Sequence, residues 1–371
     1  AALASVALVA ACGTSSTSAG GSTSTATNSA DSPTTSTASA AQESGSSDDR
    51  TSISTRVRQS STGASPADIL AANADTSQAA QAADDSDNAG VYDASAQSTA
   101  TITASGDSVD VAGGAADDVA VDSADGTTIT ITASGTYVVT GGLDNGRVIV
   151  AADDADVHLI LAGASITSAD GPAIDIQDAG SAVLVLAEGT TNTLADGSTY
   201  AAGEDAATAA LSSSDTLTIT GTGSLNVTGS YNDGISSKNG LVITGGTTIT
   251  VDAVDDGLRG KDYLLVSGGT LTITAGGDGL KSDEDNDETK GFVALGAATV
   301  SVVSGDDGVS AATDMTVDGT TLSITAGGGQ ANATVEEQAP PGQESTAEST
   351  TPSPKGINAG VSYTQDSGTV T

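Results

Sequence analysis

Leu241-Val242-Ile243-Thr244-Gly245-Gly246-Thr247-Thr248-Ile249-Thr250-Val251, closed by Asp255-Asp256-Gly257-Leu258, is the stretch that decides how this chain folds. It holds two short aliphatic runs about a Gly-Gly turn, then an acidic turn, and the chain writes the same unit again. The next copy runs through Leu271-Thr272-Ile273-Thr274 to Gly277-Asp278-Gly279-Leu280, and a third has Val300-Ser301-Val302 before Asp306-Asp307-Gly308-Val309. The turn glycines Gly234, Gly257, Gly279 and Gly308 stand 23, 22 and 29 residues apart, the last interval being a 22-residue period lengthened by seven within 282–290. The pairs Ile249/Val251, Leu271/Ile273, Val300/Val302 and Leu322/Ile324 keep one phase. Aliphatic residues alternating with Thr or Ser give a strand with one side in and one side out. A unit this short cannot bury its own apolar side, so units must stack, with strands parallel and like residues over like. The expected fold is all-β: a right-handed parallel β-helix of about 22 residues per coil.

Composition agrees. Of 371 residues 46 are Gly, only 2% are aromatic, and there is no Trp and one Phe, so the core must come from ladders of Val, Ile and Leu. Upstream, Ile129-Thr130-Ile131, Val148-Ile149-Val150, the run 157–161 and Val183-Leu184-Val185-Leu186 have the same texture with a looser period, as first coils or an N-terminal cap. The net charge of -38 makes cations the natural partners and nucleic acid a poor one, because affinity for phosphates rests on Lys and Arg. A lone histidine, His158, lies in the strand-like run Val157-His158-Leu159-Ile160-Leu161 and reads as structural; no second His exists for a zinc site or a Ser-His-Asp triad.

Three segments are expected. The chain opens on small apolar residues ending at its one cysteine, Val9-Ala10-Ala11-Cys12. Residues 1–12 read as the remnant of a secretory signal, and the last four resemble the bacterial lipobox, whose Cys is acylated. Too short to span a bilayer, the run predicts lipidation at Cys12 and a place on the extracellular face of the bacterial cell membrane, held by the lipid anchor alone. Residues 13–96, rich in Ser, Thr and Ala, cannot bury enough surface to offset ordering entropy and read as a disordered tether. Residues 97–371 form the β-helix, with a low-complexity insertion at 330–354.

Stacking the repeats sets Asp233, Asp256, Asp278 and Asp307 in a column, with Asp255 and Asp306 beside it. Carboxylates about 5 Å apart repel by about 1 kcal/mol in water and a few times more near a protein surface. An oxygen-rich, flexible set of this kind suits Ca²⁺; the alternative is a solvated acidic edge built of Asp-Gly turns. Asp283-Glu284-Asp285-Asn286-Asp287-Glu288 begins like an EF-hand loop, but Glu288 stands where Gly is needed and Ala294 where the closing Glu is needed, so Asp283, Asp285 and Asp287 are candidate ligands of a different loop. Lys238, Arg259, Lys261, Lys281 and Lys290 are five of ten basic residues, all beside acidic turns. Either they neutralise the column, or Lys238, Arg259, Lys261 and Lys281 join bound Ca²⁺ in gripping an anionic polymer, with Tyr231 and Tyr263 for stacking on sugar rings.

The chain resembles a family of bacterial cell-surface, calcium-binding, carbohydrate-binding β-helix proteins that adhere to polygalacturonate and cellulose and share the pectate-lyase fold. The resemblance rests on Tyr231-Asn232-Asp233-Gly234-Ile235-Ser236-Ser237-Lys238, on Val254-Asp255-Asp256-Gly257-Leu258-Arg259-Gly260-Lys261-Asp262-Tyr263 and on Gly276-Gly277-Asp278-Gly279-Leu280-Lys281-Ser282. Gly327-Gly328-Gly329-Gln330-Ala331-Asn332-Ala333, Lys355-Gly356-Ile357-Asn358-Ala359 and Ala187-Glu188-Gly189-Thr190-Thr191-Asn192-Thr193-Leu194 extend it. It implies a monomeric, non-catalytic, calcium-dependent binder of acidic polysaccharide, and further coils after the last residue here. Gly329-Gln330 and Lys355-Gly356 depart from the acidic turn. A lyase or polygalacturonase is the runner-up, on Asp306-Asp307 as paired carboxylates and Arg259 or Lys261 as base; a calcium-stiffened adhesin without a glycan ligand is another.

Overall fold

The computed structural model describes residues 99–124, 126–200, 207–329 and 353–371. The signal remnant with Cys12, the tether 13–96 and most of the insertion 330–354 lie outside the described residues. What is described falls in one compact unit, a continuous sheet of 26 strands wound into coils. From residue 217 on, each coil crosses three faces. Face 1 carries Leu217–Gly221, Gly240–Ile243, Tyr263–Val266, Phe292–Leu295, Asp314–Val317 and Ser362–Gln365; face 2 carries Ser224–Gly229, Thr248–Ala253, Thr270–Ala275, Thr299–Ser304 and Thr321–Ala326. Face 3 carries Asp233–Ser237, Leu258–Gly260, Leu280–Ser282, Val309–Ala311 and Ile357–Ala359. Neighbours on a face are parallel and in register, Ile249 on Leu271 on Val300 on Leu322. The protein is a parallel β-helix, as its period requires.

Face 2 alternates as read: in Thr248–Ala253, Ile249 and Val251 enter the core while Thr248, Thr250 and Asp252 meet solvent. Face 1 does not alternate. Leu241 and Ile243 point into the core, but Val242, Leu265, Phe292 and Ala294 form a separate apolar cluster on the sheet's other side. An unbroken aliphatic run is the mark of a strand buried on both sides. Fully burying a Leu or Ile contributes about 1.5–3 kcal/mol, and one coil brings in Leu241, Ile243, Ile249, Val251 and Leu258, so no aromatic centre is needed.

The upstream segment is both cap and coil. Thr99–Gly106 pairs antiparallel with Ser108–Gly113, and Val119–Asp122 with Thr127–Ile131, before parallel stacking takes over. The runs at 148–150 and 157–161 belong to one strand, Gly146–Thr167, which rounds its corners through bulges instead of breaking. Asp154 lies in that bulged stretch with φ 51°, a left-handed conformation that Asp tolerates better than most residues. His158 sits in this strand between Thr136 and Val183, its Nε2 buried without a hydrogen-bond partner. Asn192 occupies the core position that Leu225 fills one coil later. Fully buried, it accepts from the N–H groups of Gly163 and Ala164 and donates to Thr190 and Ser224, which satisfies its amide and locks the corner.

The two non-acidic turns turn out to be one. Val309 pairs with Ile357, so Gly356 is the next turn glycine after Gly308, and Gly329 and Lys355 are the two ends of a single corner that the insertion enlarges. The described chain therefore has one coil fewer than two separate turns would give.

Candidate functional site

The corner between face 2 and face 3 stacks by backbone bonds: Gly257 donates to Asp278, Gly279 to Asp307 and Gly308 to Lys355. Through them Asp233, Asp256, Asp278 and Asp307 come to lie one above another, and they are 1%, 3%, 7% and 5% exposed. Asp255 and Asp306 beside the column are not buried, so the edge is solvated on its outer side only. Each carboxylate caps the coil above it: Oδ1 of Asp233 accepts the N–H of Asp256 (3.3 Å), Asp256 that of Asp278 (2.9 Å), Asp278 that of Asp307 (3.0 Å) and Asp307 that of Lys355 (2.7 Å). The Asp side chain is thus part of the fold as well as a charge.

What fills each gap in the column depends on the residue just before the column position. That residue is Asn232, Asp255, Gly277, Asp306 and Pro354 in turn. Where it is Asp, three carboxylates meet: Asp233, Asp255 and Asp256 in one set, Asp278, Asp306 and Asp307 in another, each with oxygens within 4.8 Å. Between the sets stands Gly277, and the gap is filled by the ammonium of Lys281, 2.9 Å from Asp256 and 3.1 Å from Asp278. A Cβ on Gly277 would lie 2.3 Å from Asp255 Oδ1 and 2.9 Å from Asp256 Oδ1, so the missing side chain leaves room for the first set. The corner runs carboxylate set, cation, carboxylate set, and then ends on Asn358, whose amide donates to Asp307 at 2.7 Å.

Burial is the main force on these groups, and like charge adds to it. Asp233 is pushed up to about 7 by burial and then by the charge of Asp256. Burial also raises Asp256 and Asp278, with Lys281 pulling both back, and raises Asp306, with Asp307 adding to the effect. Lys281 itself is raised despite burial, because two carboxylates hold its proton.

Most of the basic cluster is engaged in ion pairs. Arg259 binds Asp283 (2.8 Å), Lys261 binds Glu284 (3.1 Å) and Lys290 binds Asp262 (2.8 Å). Asp283 is therefore an arginine partner; Asp285 bonds Asn286 and Asp287 bonds Thr289, so the insertion does not gather its three Asp residues. Among the described residues the two sets above are the groups of three potential metal ligands. Tyr263 lies over Gly240 and stacks on Phe292. Tyr231, 43% exposed, stacks on Tyr200 at 4.1 Å, and Tyr200 donates to Asp196 at 2.8 Å. Asp196 also accepts the N–H of Ser230 and heads the acidic corner. The sequence reading missed it, although Asp196-Gly197 is an Asp-Gly pair like those below.

A parallel β-helix whose stacked corner carries carboxylates and paired cations along one edge is a repeat protein with an extended, charged edge. The chain belongs to the carbohydrate-binding domain-containing protein family, whose sequence profile matches residues 125–371. It is similar to a solved structure described as the polysaccharide lyase-like protein from C. thermocellum, gadolinium derivative: 26% identity and a TM-score of 0.63, over 73% of this chain and 98% of that one. No curated protein matches the chain.

Proposed function

We propose that the chain is a non-catalytic module that binds acidic polysaccharide of the polygalacturonate type through calcium. The two carboxylate sets, each with two buried members and one open to solvent, carry this reading. Each offers three carboxylate oxygens; Ca²⁺ takes six to eight, and backbone carbonyls, waters or the uronates of a glycan would supply the rest. Burial and then the charges of Asp256 and Asp255 raise the Asp233 carboxyl, and a divalent cation would relieve that repulsion. With a net charge of -38 and Arg259, Lys261 and Lys281 already paired, attraction of a polyanion falls to the metal.

The solved relative's description favours a second reading, a lyase. A lyase base must lose its proton near working pH; Arg259 is raised by its partner Asp283, and the Lys261 ammonium is held by Glu284 at 3.1 Å, which argues against it. Retention on insoluble polygalacturonate should be strong with calcium, weaker at high salt and gone with chelator, with no release of unsaturated uronide. Retention that survives chelator removes calcium from the reading; an unsaturated product makes the protein an enzyme; retention on no glycan leaves the adhesin.

We place the module on the extracellular face of the bacterial membrane, held through an acylated Cys12. Labelling with a fatty-acid probe should be lost in Cys12→Ala, and labelling that persists removes the anchor.

A further inference from the structure

A cavity of about 620 Å³ opens on the outer side of face 3 in the early coils, upstream of the carboxylate sets. Its floor is Asp175 and Ser212, adjacent rungs of the sheet. Arg147, Asp170 and Tyr200 line it together with Gln177 and Lys238. Three features define what it suits. First, its formal charges balance, two cations against Asp170 and Asp175, and Arg147 is already bound to Asp170 at 2.6 Å. A ligand carboxylate would have to displace that partner. Second, the lining offers donors and acceptors: the Gln177 amide donates to Asp175 at 2.8 Å, which leaves its carbonyl for a hydroxyl, and Ser212 and Ser214 also line the cavity. Third, Tyr200 is a fixed platform, with one side of its ring against Tyr231 and its hydroxyl tied to Asp196. A rigid aromatic surface beside planar polar groups, in a space of small-molecule size, fits an uncharged, hydroxyl-rich ring.

We infer that this cavity is a second glycan subsite, one that takes a neutral sugar ring without calcium. It uses residues outside the carboxylate sets, so it stands or falls separately from the calcium reading. Neutral disaccharides such as cellobiose and galactobiose, titrated in chelator with tyrosine fluorescence as the signal, should bind. Gln177→Ala and Arg147→Met should each weaken that binding at least tenfold, while calcium-dependent retention on polygalacturonate stays as in the parent. Tyr200→Ala should abolish it, and because that change also frees Tyr231, Gln177→Ala decides if the Tyr200 variant unfolds. No binding of any neutral disaccharide, or binding unchanged in Gln177→Ala and Arg147→Met, overturns the assignment. So does digalacturonate binding more tightly than its neutral counterpart in chelator, since the site would then be anionic in preference.

Discussion

Calcium should raise the melting temperature most at pH 8 and least at pH 5. One site filled at a hundredfold excess over Kd stabilises by about 2.7 kcal/mol, which for a domain of this size is roughly 5–10 °C. The pH dependence follows from the raised carboxyls. The folded protein holds protons on Asp233 up to about 7, and on Asp256, Asp278 and Asp306 above their ordinary range, whereas the unfolded chain releases them near 4. Folded protein therefore binds more protons in that window, and the metal-free form should gain stability as pH falls from 8 toward 5. Calcium competes with those protons, so its increment should shrink over the same interval. Asp255 is the clean probe: it belongs to one set and raises Asp233 and Asp256 without capping a backbone N–H in the column. Asp255→Asn should raise the metal-free melting temperature slightly and cut the calcium increment. A metal-free melting temperature that falls from pH 8 to pH 6, or calcium without effect at pH 8, would leave the sets as structural caps only.

Gly257→Ala should lower the melting temperature by about 2–12 °C, or prevent folding, from overpacking of about 1–3 kcal/mol or more. The Cβ would lie 2.3 Å from Ile273 Cγ2 and 2.6 Å from the Gly279 carbonyl. Neither neighbour can yield, for Ile273 is in the core and that carbonyl accepts the N–H of Leu258 at 3.0 Å. At Gly142, which also precedes a Leu, a Cβ meets nothing within 4 Å. Gly142→Ala should therefore leave thermal unfolding almost unchanged. Equal losses in the two variants would mean that backbone conformation, and not the close approach of the next coil, demands glycine.

The contrast between Gly257 and Gly142 shows where sequence reading stops. Each precedes a Leu, and only the approach of the neighbouring coil separates them. The same holds for Lys281. Its place beside acidic turns was legible, but its role as the cation between two carboxylate sets depends on Gly277 one coil position away from Asp255 and Asp306. Tyr200, Arg147 and Asp175 carried no local signal at all, since the cavity joins residues from different coils that no spacing relates.

Everything that repeats was legible in the linear chain: parallel stacking from the 22-residue phase, inward ladders from Ile249 and its counterparts, and the column of Asp residues at one corner. These follow because a period repeated in sequence becomes alignment in space once strands pair in register. Tertiary structure alone decided what breaks the period. It merged two runs into Gly146–Thr167, made one corner of Gly329 and Lys355, buried both sides of face 1, and paired the cations with particular carboxylates. Those outcomes depend on distances between side chains in adjacent coils, set by packing and by the exclusion of water, and a single linear pattern does not contain them.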